Sequence, residues 1–154
     1  MALFGKAREK EREKVSAILV AAGSSSRMGE NKLLLPLLEQ PVLVHTILAF
    51  EAAMLVDEII VVTQEEMIPQ INQWQYDYGF RKLTKILRGG ETRQQSVQKG
   101  LEAVMEEAAI LAIHDGARPL VLPGTIDQVI EDCILHGAAT AAVPVKDTIK
   151  EADE

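Results

Sequence analysis

Two cations follow a glycine-serine stretch near the start of this chain, and their surroundings suggest phosphate chemistry. The stretch reads AAGSSSRMGENK, in which Arg27 and Lys32 come shortly after Gly23 and Ser24. Small residues let backbone N–H groups approach an anion closely. Arginine offers a planar fork for phosphate oxygens, and lysine offers a compact charge on a flexible stem. We therefore predict that this loop binds phosphate groups and that Arg27 and Lys32 act on them.

The stretch differs from the common phosphate-binding motifs. Glu30 stands where a Walker loop requires lysine, and Ser25 occupies the second glycine position of the dinucleotide fingerprint. A dinucleotide-dependent oxidoreductase would also need an acidic residue at the end of the second strand, where this chain has VVTQ. The structural alternative to phosphate binding is an ordinary strand-to-helix turn with exposed cations.

A second loop, RGGETRQQS, places two glycines directly before the start of a predicted helix. Gly89 and Gly90 permit close contact with a flat ligand, and Arg93 and Ser96 lie in the first turns of the helix. The same glycine pair is also common structural punctuation before a helix. Both interpretations, a ligand contact and a simple turn, remain open at this point.

A third loop, HDGARP, places Asp115 just after an apolar segment, with Arg118 in the next turn. A carboxylate there suits magnesium, which takes one or two protein oxygens and completes its coordination with water and phosphate. The alternative is that Asp115 pairs with Arg118 or caps a turn. His114 is expected to pack and to form hydrogen bonds rather than to titrate.

The composition excludes several classes of protein. A formal net charge of -7 argues against a nucleic-acid partner, because phosphate backbones need a basic face. A single cysteine, Cys133, allows no internal disulfide and favours a reducing compartment. Neither a signal-peptide core nor a membrane span is found. We predict a cytoplasmic protein without nucleic-acid or membrane partners.

From Val15 onward, apolar runs of strand length alternate with amphipathic segments of helical period. This alternation predicts an α/β fold, namely a single domain with a doubly wound, mostly parallel sheet, preceded by a charged flexible tail at residues 1–14. Capping boxes are predicted at Thr92 with Gln95 and at Thr125 with Gln128. The predicted strands are 17–22, 58–63, 85–87, 110–114 and 139–143, and the predicted helices are 42–53, 65–76, 93–106 and 125–136.

Ligands bind beyond the carboxyl ends of the strands in such a sheet, so the three loops should meet there. In this order, AAGSSSRMG…K, GGETRQQSV, HDGARP and VPVKDTIK resemble the motifs of the 2-C-methyl-D-erythritol 4-phosphate cytidylyltransferase family of non-mevalonate isoprenoid biosynthesis. The resemblance runs from about Val15 to the end of the chain. It implies a Rossmann-like nucleotidyltransferase fold, a reaction of CTP with methylerythritol phosphate that gives CDP-methylerythritol and pyrophosphate, a Mg²⁺ cofactor, and a homodimer in the full-length protein.

The resemblance also implies roles for individual residues. Arg27 and Lys32 match the catalytic residues that stabilise the transition state, and Asp115 matches the metal ligand. Thr148, in the KDT motif, matches a residue near the sugar-alcohol phosphate substrate. The residues that it implies for CTP binding are Ala21, Ala22, Gly23, Ser24, Gly90, Glu91, Ser96, Asp115, Gly116 and Arg118.

Members of this family are usually much longer than the present chain. Residues 15–154 are therefore expected to be the nucleotide-binding part of a truncated cytidylyltransferase domain. Two alternatives remain open, namely another nucleotidyltransferase that acts on ribitol 5-phosphate or a molybdopterin, and a CTP-binding fragment without catalysis.

Overall fold

The computed structural model describes residues 12–23 and 31–144. The sheet contains the strands β1 (Lys14–Ala21), β4 (Glu58–Thr63), β5 (Leu83–Arg88) and β6 (Ala108–Asp115), and a small hairpin contains β2 (Pro36–Leu37) and β3 (Gln40–Pro41). The helices are α1 (Val42–Ala52), α2 (Ile68–Tyr78), α3 (Arg93–Leu101) and α4 (Pro123–His136), with a 3₁₀ turn at Glu65–Met67.

The main sheet is parallel, and its strand order is β5-β4-β1-β6. The chain moves outward from β1 through β4 to β5, and it then returns through α3 to place β6 on the other side of β1. The direction of winding thus reverses between β1 and β6, which is where open α/β sheets bind their ligands. The predicted doubly wound parallel sheet is confirmed.

Alternation of side chains along the central strands builds a core on each face of the sheet. Leu19 and Val61 belong to the larger core, to which α1, α2 and α4 contribute. Ile18 and Ile60 point to the opposite face, where α3 packs. Helix α3 lies close to β1 at Gly100, because a β-carbon there would stand 2.6 Å from Ile18 Cγ2.

Two predicted helix starts were displaced by prolines. A single helix was predicted from position 65, but a 3₁₀ turn comes first and α2 begins at Ile68, so that Pro69 lies in the first turn. Proline is tolerated there because its missing N–H would have no partner inside the helix. Pro123 likewise starts α4 early, so the capping box predicted at Thr125 does not form. The box at Thr92 and Gln95 is confirmed.

Two other predicted elements were too long or absent. Helix α3 ends at Leu101 rather than at position 106, since the Met105 N–H donates to Glu58 Oε2 on β4 at 2.8 Å. The strand predicted at 139–143 is wrong, because this segment has no regular structure and is exposed. It consists mostly of alanines, which bury little apolar area to stabilise an added edge strand. In the part of the chain described, no helix is long and apolar enough to cross a membrane.

Candidate active site

The described residues of the three loops meet at the carboxyl ends of β1, β5 and β6, as the sequence predicts. They line a cavity of about 690 Å³. The exposed side chain of Lys32 reaches the same cavity from the segment before the hairpin. The lining includes these predicted site residues: Ala21, Ala22, Gly23, Lys32, Gly90, Glu91, Ser96, Asp115 and Arg118.

Backbone hydrogen bonds extend the sheet into two of these loops and fix their positions. The Gly89 N–H donates to the Thr63 carbonyl at 2.7 Å, and the Gly116 N–H donates to the Val20 carbonyl at 2.8 Å. Glycine is required at position 89, because an added β-carbon would stand 2.3 Å from the β-carbon of Ala22. The end of β1 and the loop after β5 are therefore in direct contact.

The Ser96 hydroxyl holds the glycine loop, the segment after β5 that contains Gly89 and Gly90. It accepts from the Gly90 N–H at 3.1 Å and donates to the Thr92 carbonyl at 3.0 Å. The residue is only 1% exposed. Its hydroxyl therefore stabilises the backbone of the loop, in addition to the capping box at Thr92.

Gly116 is buried behind the cavity wall. Its carbonyl accepts from Thr46 Oγ1 on α1 at 2.8 Å. A β-carbon there would lie 3.0 Å from Leu43 Cδ1 and 3.2 Å from the β-carbon of Ala21. Gly116 thus lets the end of β6 lie close to β1 and α1, and this closeness positions its neighbour Asp115.

The Asp115 carboxylate lies between two arginines. Its Oδ1 accepts from Arg93 Nε at 3.2 Å and from Arg93 Nη2 at 3.0 Å, and its Oδ2 pairs with Arg118 Nη2 at 3.0 Å. Burial raises the pKa of Asp115, but the Arg93 hydrogen bond and the charges of Arg93 and Arg118 outweigh it and leave the pKa below its ordinary value. The carboxylate is therefore ionised at neutral pH.

His114 is held in a structural position beside this pair, as the sequence predicts. Its ring packs against Phe50 with centroids 5.1 Å apart, and its Nε2 lies 3.2 Å from the Arg118 carbonyl. Burial lowers the pKa of His114, despite the opposing effects of that hydrogen bond and of Asp115. The imidazole is thus neutral at neutral pH and serves to pack the end of β6.

The donors at this site suit a metal that shares its coordination with a ligand. Within residues 12–23 and 31–144, no group of three or more His, Cys, Asp or Glu side chains comes together. Asp115 offers a carboxylate to the cavity from the end of β6, and Glu91 lines the same cavity from the loop after β5. This arrangement fits Mg²⁺, which typically binds one or two carboxylates together with substrate phosphates and water.

The sequence matches one protein family over most of its length. The family model of 2-C-methyl-D-erythritol 4-phosphate cytidylyltransferase matches residues 15–154. The chain belongs to this cytidylyltransferase family. The family's members from Dehalococcoides mccartyi and from Caldanaerobacter subterraneus subsp. tengcongensis are similar to it, with 46% identity over 140 residues and 47% identity over 144 residues.

The structural similarity to the cytidylyltransferase family agrees with the sequence match. The crystal structure of 4-diphosphocytidyl-2C-methyl-D-erythritol synthase from Anaerococcus prevotii superposes with a TM-score of 0.80 at 27% identity, covering 92% of this chain and 61% of that one. The two bacterial relatives cover 90% and 91% of this chain. The chain spans only 61% and 63% of their lengths.

Several residues that a cytidylyltransferase would use lie outside the described part of the chain. These are Arg27, Ser24 and Thr148, and their roles stay predictions. Conversely, two residues that shape the site are not among the site residues that the resemblance implies. Arg93 holds Asp115, and Gly89 brings the β5 loop against Ala22. The glycine pair pointed to Gly89, whereas no local pattern pointed to the pairing of Arg93.

Proposed function

We propose that this chain is the nucleotide-binding part of a cytidylyltransferase that joins CTP and 2-C-methyl-D-erythritol 4-phosphate to give CDP-methylerythritol and pyrophosphate. The observation that carries this proposal is the family match over residues 15–154. The meeting of the three motif loops at the switch point of the sheet supports it independently.

The cavities at this end of the sheet have room for a nucleoside triphosphate. The cavity beside Asp115 adjoins a second one of about 980 Å³, and Ala22, Gly90 and Glu91 line both. We place the triphosphate between Lys32 and Asp115, and the cytosine in the second cavity. A β-carbon added at Gly23 would meet no described atom within 4 Å.

The chemistry is an in-line displacement at phosphorus. An oxygen of the 4-phosphate forms a bond to the α-phosphorus of CTP, and the bond from that phosphorus to the bridging oxygen breaks, so that pyrophosphate leaves with the electron pair. The attacking phosphate is already ionised at neutral pH, so no general base is required. The protein must instead bring two anions together and balance the charge on the equatorial oxygens.

We assign this charge balance to cations around the cavity. Lys32 reaches it from one side and Arg118 from another, and Arg27 is proposed for the same role from the sequence. Asp115 is proposed to hold Mg²⁺ with the phosphates; bound there, the ion would neutralise phosphate charge. Homodimerisation of the full-length protein and a cytoplasmic location are part of the proposal. The net charge of -7 supports the absence of a nucleic-acid partner.

Pyrophosphate release with CTP and Mg²⁺ tests the reaction. Methylerythritol phosphate is expected to support turnover, whereas ribitol 5-phosphate and the molybdopterin cofactor are expected to support little or none. Preferential use of either alternative acceptor would overturn the proposed acceptor. Because the chain spans about three fifths of the length of its relatives, a CTP-binding fragment without catalysis is the second candidate. Calorimetric binding of CTP with Mg²⁺ but no turnover with any acceptor would favour it.

A further inference from the structure

We propose that the Arg93 guanidinium occupies Oδ1 of Asp115 until a metal ion binds there. In the nucleotide-free protein it holds the carboxylate and opposes binding of a divalent cation alone, and it releases the carboxylate when the cation arrives with a nucleoside triphosphate. This inference rests on the proposed function and adds an order of binding to it. Arg93 is a positioning residue in this account.

Each carboxylate oxygen of Asp115 pairs with an arginine. Arg93 places Nε and Nη2 on Oδ1, and Arg118 places Nη2 on Oδ2. A cation that takes either oxygen as its ligand must displace a guanidinium from it. The two arginines together carry more charge than the carboxylate they hold, and this excess positive charge opposes binding of a free divalent cation to Asp115.

Arg93 is the arginine whose hold on Asp115 a nucleotide can change, because it reaches the carboxylate from a different loop. Arg118 belongs to the same turn as Asp115, and its N–H donates to the Asp115 carbonyl at 3.1 Å. Arg93 comes from the glycine loop at the other side of the cavity, where the capping box fixes its backbone. Its side chain is 59% exposed, compared with 73% for Arg118, and Asp115 is its only partner among the residues described. The guanidinium can therefore turn toward a phosphate while the loop stays in place.

A triphosphate reverses the electrostatics of the site. It adds several negative charges next to both arginines, and guanidinium–phosphate hydrogen bonds are among the strongest available to arginine. Once Arg93 turns to the phosphates, Oδ1 of Asp115 becomes available as a ligand. The cation and the nucleotide are then expected to bind together, and each should strengthen the binding of the other.

Binding of Mn²⁺, followed by the electron paramagnetic resonance signal of the free ion, tests this order without any need for turnover. The wild-type chain is expected to bind Mn²⁺ weakly alone and at least about tenfold more tightly with CTP, after subtraction of the Mn²⁺ that CTP binds in a protein-free sample. Arg93→Gln is expected to bind Mn²⁺ alone about tenfold more tightly than wild type, since the charge of Arg93 and its two guanidinium hydrogen bonds to Oδ1 are removed. Arg93→Lys keeps the charge but loses the fork, so its affinity should lie between the two.

Two controls separate this role from a general change in charge or folding. Arg12→Gln breaks a comparable pair, in which Arg12 Nη2 lies 2.7 Å from Asp57 Oδ1 beside the amino end of β1, and it should leave Mn²⁺ affinity unchanged. Adding Asp115→Asn to Arg93→Gln should abolish the gain. Tight Mn²⁺ binding by the wild type alone, no gain in Arg93→Gln, or a gain that survives Asp115→Asn would overturn the proposal. Failure of the wild type to bind CTP would instead overturn the proposed function. In that case, the Mn²⁺ affinities of wild type and Arg93→Gln without CTP still test whether Arg93 opposes metal binding at Asp115.

Discussion

Gly89 lies so close to Ala22 that a β-carbon on the glycine would stand 2.3 Å from the β-carbon of the alanine. The contact joins the loop after β5 to the end of β1, two segments that both line the proposed nucleotide cavities. A small residue on each side is therefore needed for the two loops to meet. The proposed site depends on this contact as much as on its charged groups.

Replacing Gly89 by alanine should force the two loops apart. The new methyl group would also stand 2.8 Å from Ser96 Oγ. Overpacking of this kind costs about 1–3 kcal/mol, so we expect a lower free energy of unfolding in urea and weaker CTP binding by calorimetry. Gly124→Ala is the matched control, because a β-carbon there would meet no described atom within 4 Å. Equal effects of the two substitutions would refute a special role for the contact.

Thr92 and Thr125 occupy similar sequence patterns but different structural positions. Thr92 Oγ1 accepts from the Gln95 N–H at 3.1 Å, whereas Thr125 lies inside the first turn of α4 and caps nothing. Thr92→Ala should therefore lower the free energy of unfolding by about 1 kcal/mol, the usual cost of losing a helix cap. Thr125→Ala should change it by less than about 0.5 kcal/mol, as exposed surface substitutions do. Chemical denaturation of both variants measures the difference, and a larger loss in Thr125→Ala would contradict the observed helix start.

Glu58 on β4 is hydrogen-bonded to β1, to β5 and to the segment after α3. It should make the stability of the protein depend on pH. Its carboxylate accepts from Ser16 Oγ at 2.6 Å, from Thr84 Oγ1 at 2.8 Å and from the Met105 N–H at 2.8 Å. Burial raises the pKa of Glu58, but these hydrogen bonds and the charge of Lys85 outweigh it, and the pKa lies below its ordinary value of 4.5. The stabilisation is thus complete above that value and is lost as the pH falls through the lower pKa of the folded state.

Urea denaturation of wild type and Glu58→Gln over the acid range isolates this contribution. At neutral pH the variant should be less stable by about 1–3 kcal/mol, because its amide cannot accept all of these hydrogen bonds as a charged group does. The difference in the free energy of unfolding between the two proteins should narrow as the pH falls below 4.5. Other carboxylates, such as Asp57, titrate in both proteins and cancel in the difference. A gap that stays constant with pH would show that Glu58 acts through its shape alone.

Lys32 is expected to contribute to turnover more than to folding. In the full-length protein, Lys32→Ala should lower kcat about 100-fold to 1,000-fold, which is the effect of removing one preorganised electrostatic donor. The assay is pyrophosphate release with CTP, methylerythritol phosphate and Mg²⁺. Lys14→Ala removes a lysine that pairs with Asp57 at 3.3 Å, far along β1 from the cavity, and should leave kcat near normal. Near-normal turnover of Lys32→Ala would remove this residue from the proposed mechanism.

The sheet and the meeting of the loops follow from sequence patterns, whereas several details depend on tertiary contacts. Apolar runs such as Glu58–Thr63 mark strands because both faces of the sheet are covered. The end of α3 could not be predicted, since Glu58 on another element accepts the Met105 N–H. The pairing of Arg93 with Asp115 joins residues from two loops, and no local spacing indicates it.

The turn between β2 and β3 is another detail that the sequence did not predict. It places Leu38 and Glu39 at φ angles of 48° and 70°, a region that usually calls for glycine or asparagine. The segment LLLPLLEQ contains neither residue and reads as a buried apolar run. Leu38 is instead 86% exposed at the turn. Apart from Pro36, which argues against a central strand, the local sequence does not mark this turn.

Calorimetric titration of the chain with CTP in the presence of Mg²⁺ tests the central claim most directly, because it asks whether the cavity beside Asp115 holds a triphosphate. The account predicts saturable binding at one site, weakened at least about tenfold by Asp115→Asn and by Lys32→Ala and unaffected by Arg12→Gln. Absence of CTP binding, or binding that neither Asp115→Asn nor Lys32→Ala weakens, would contradict it.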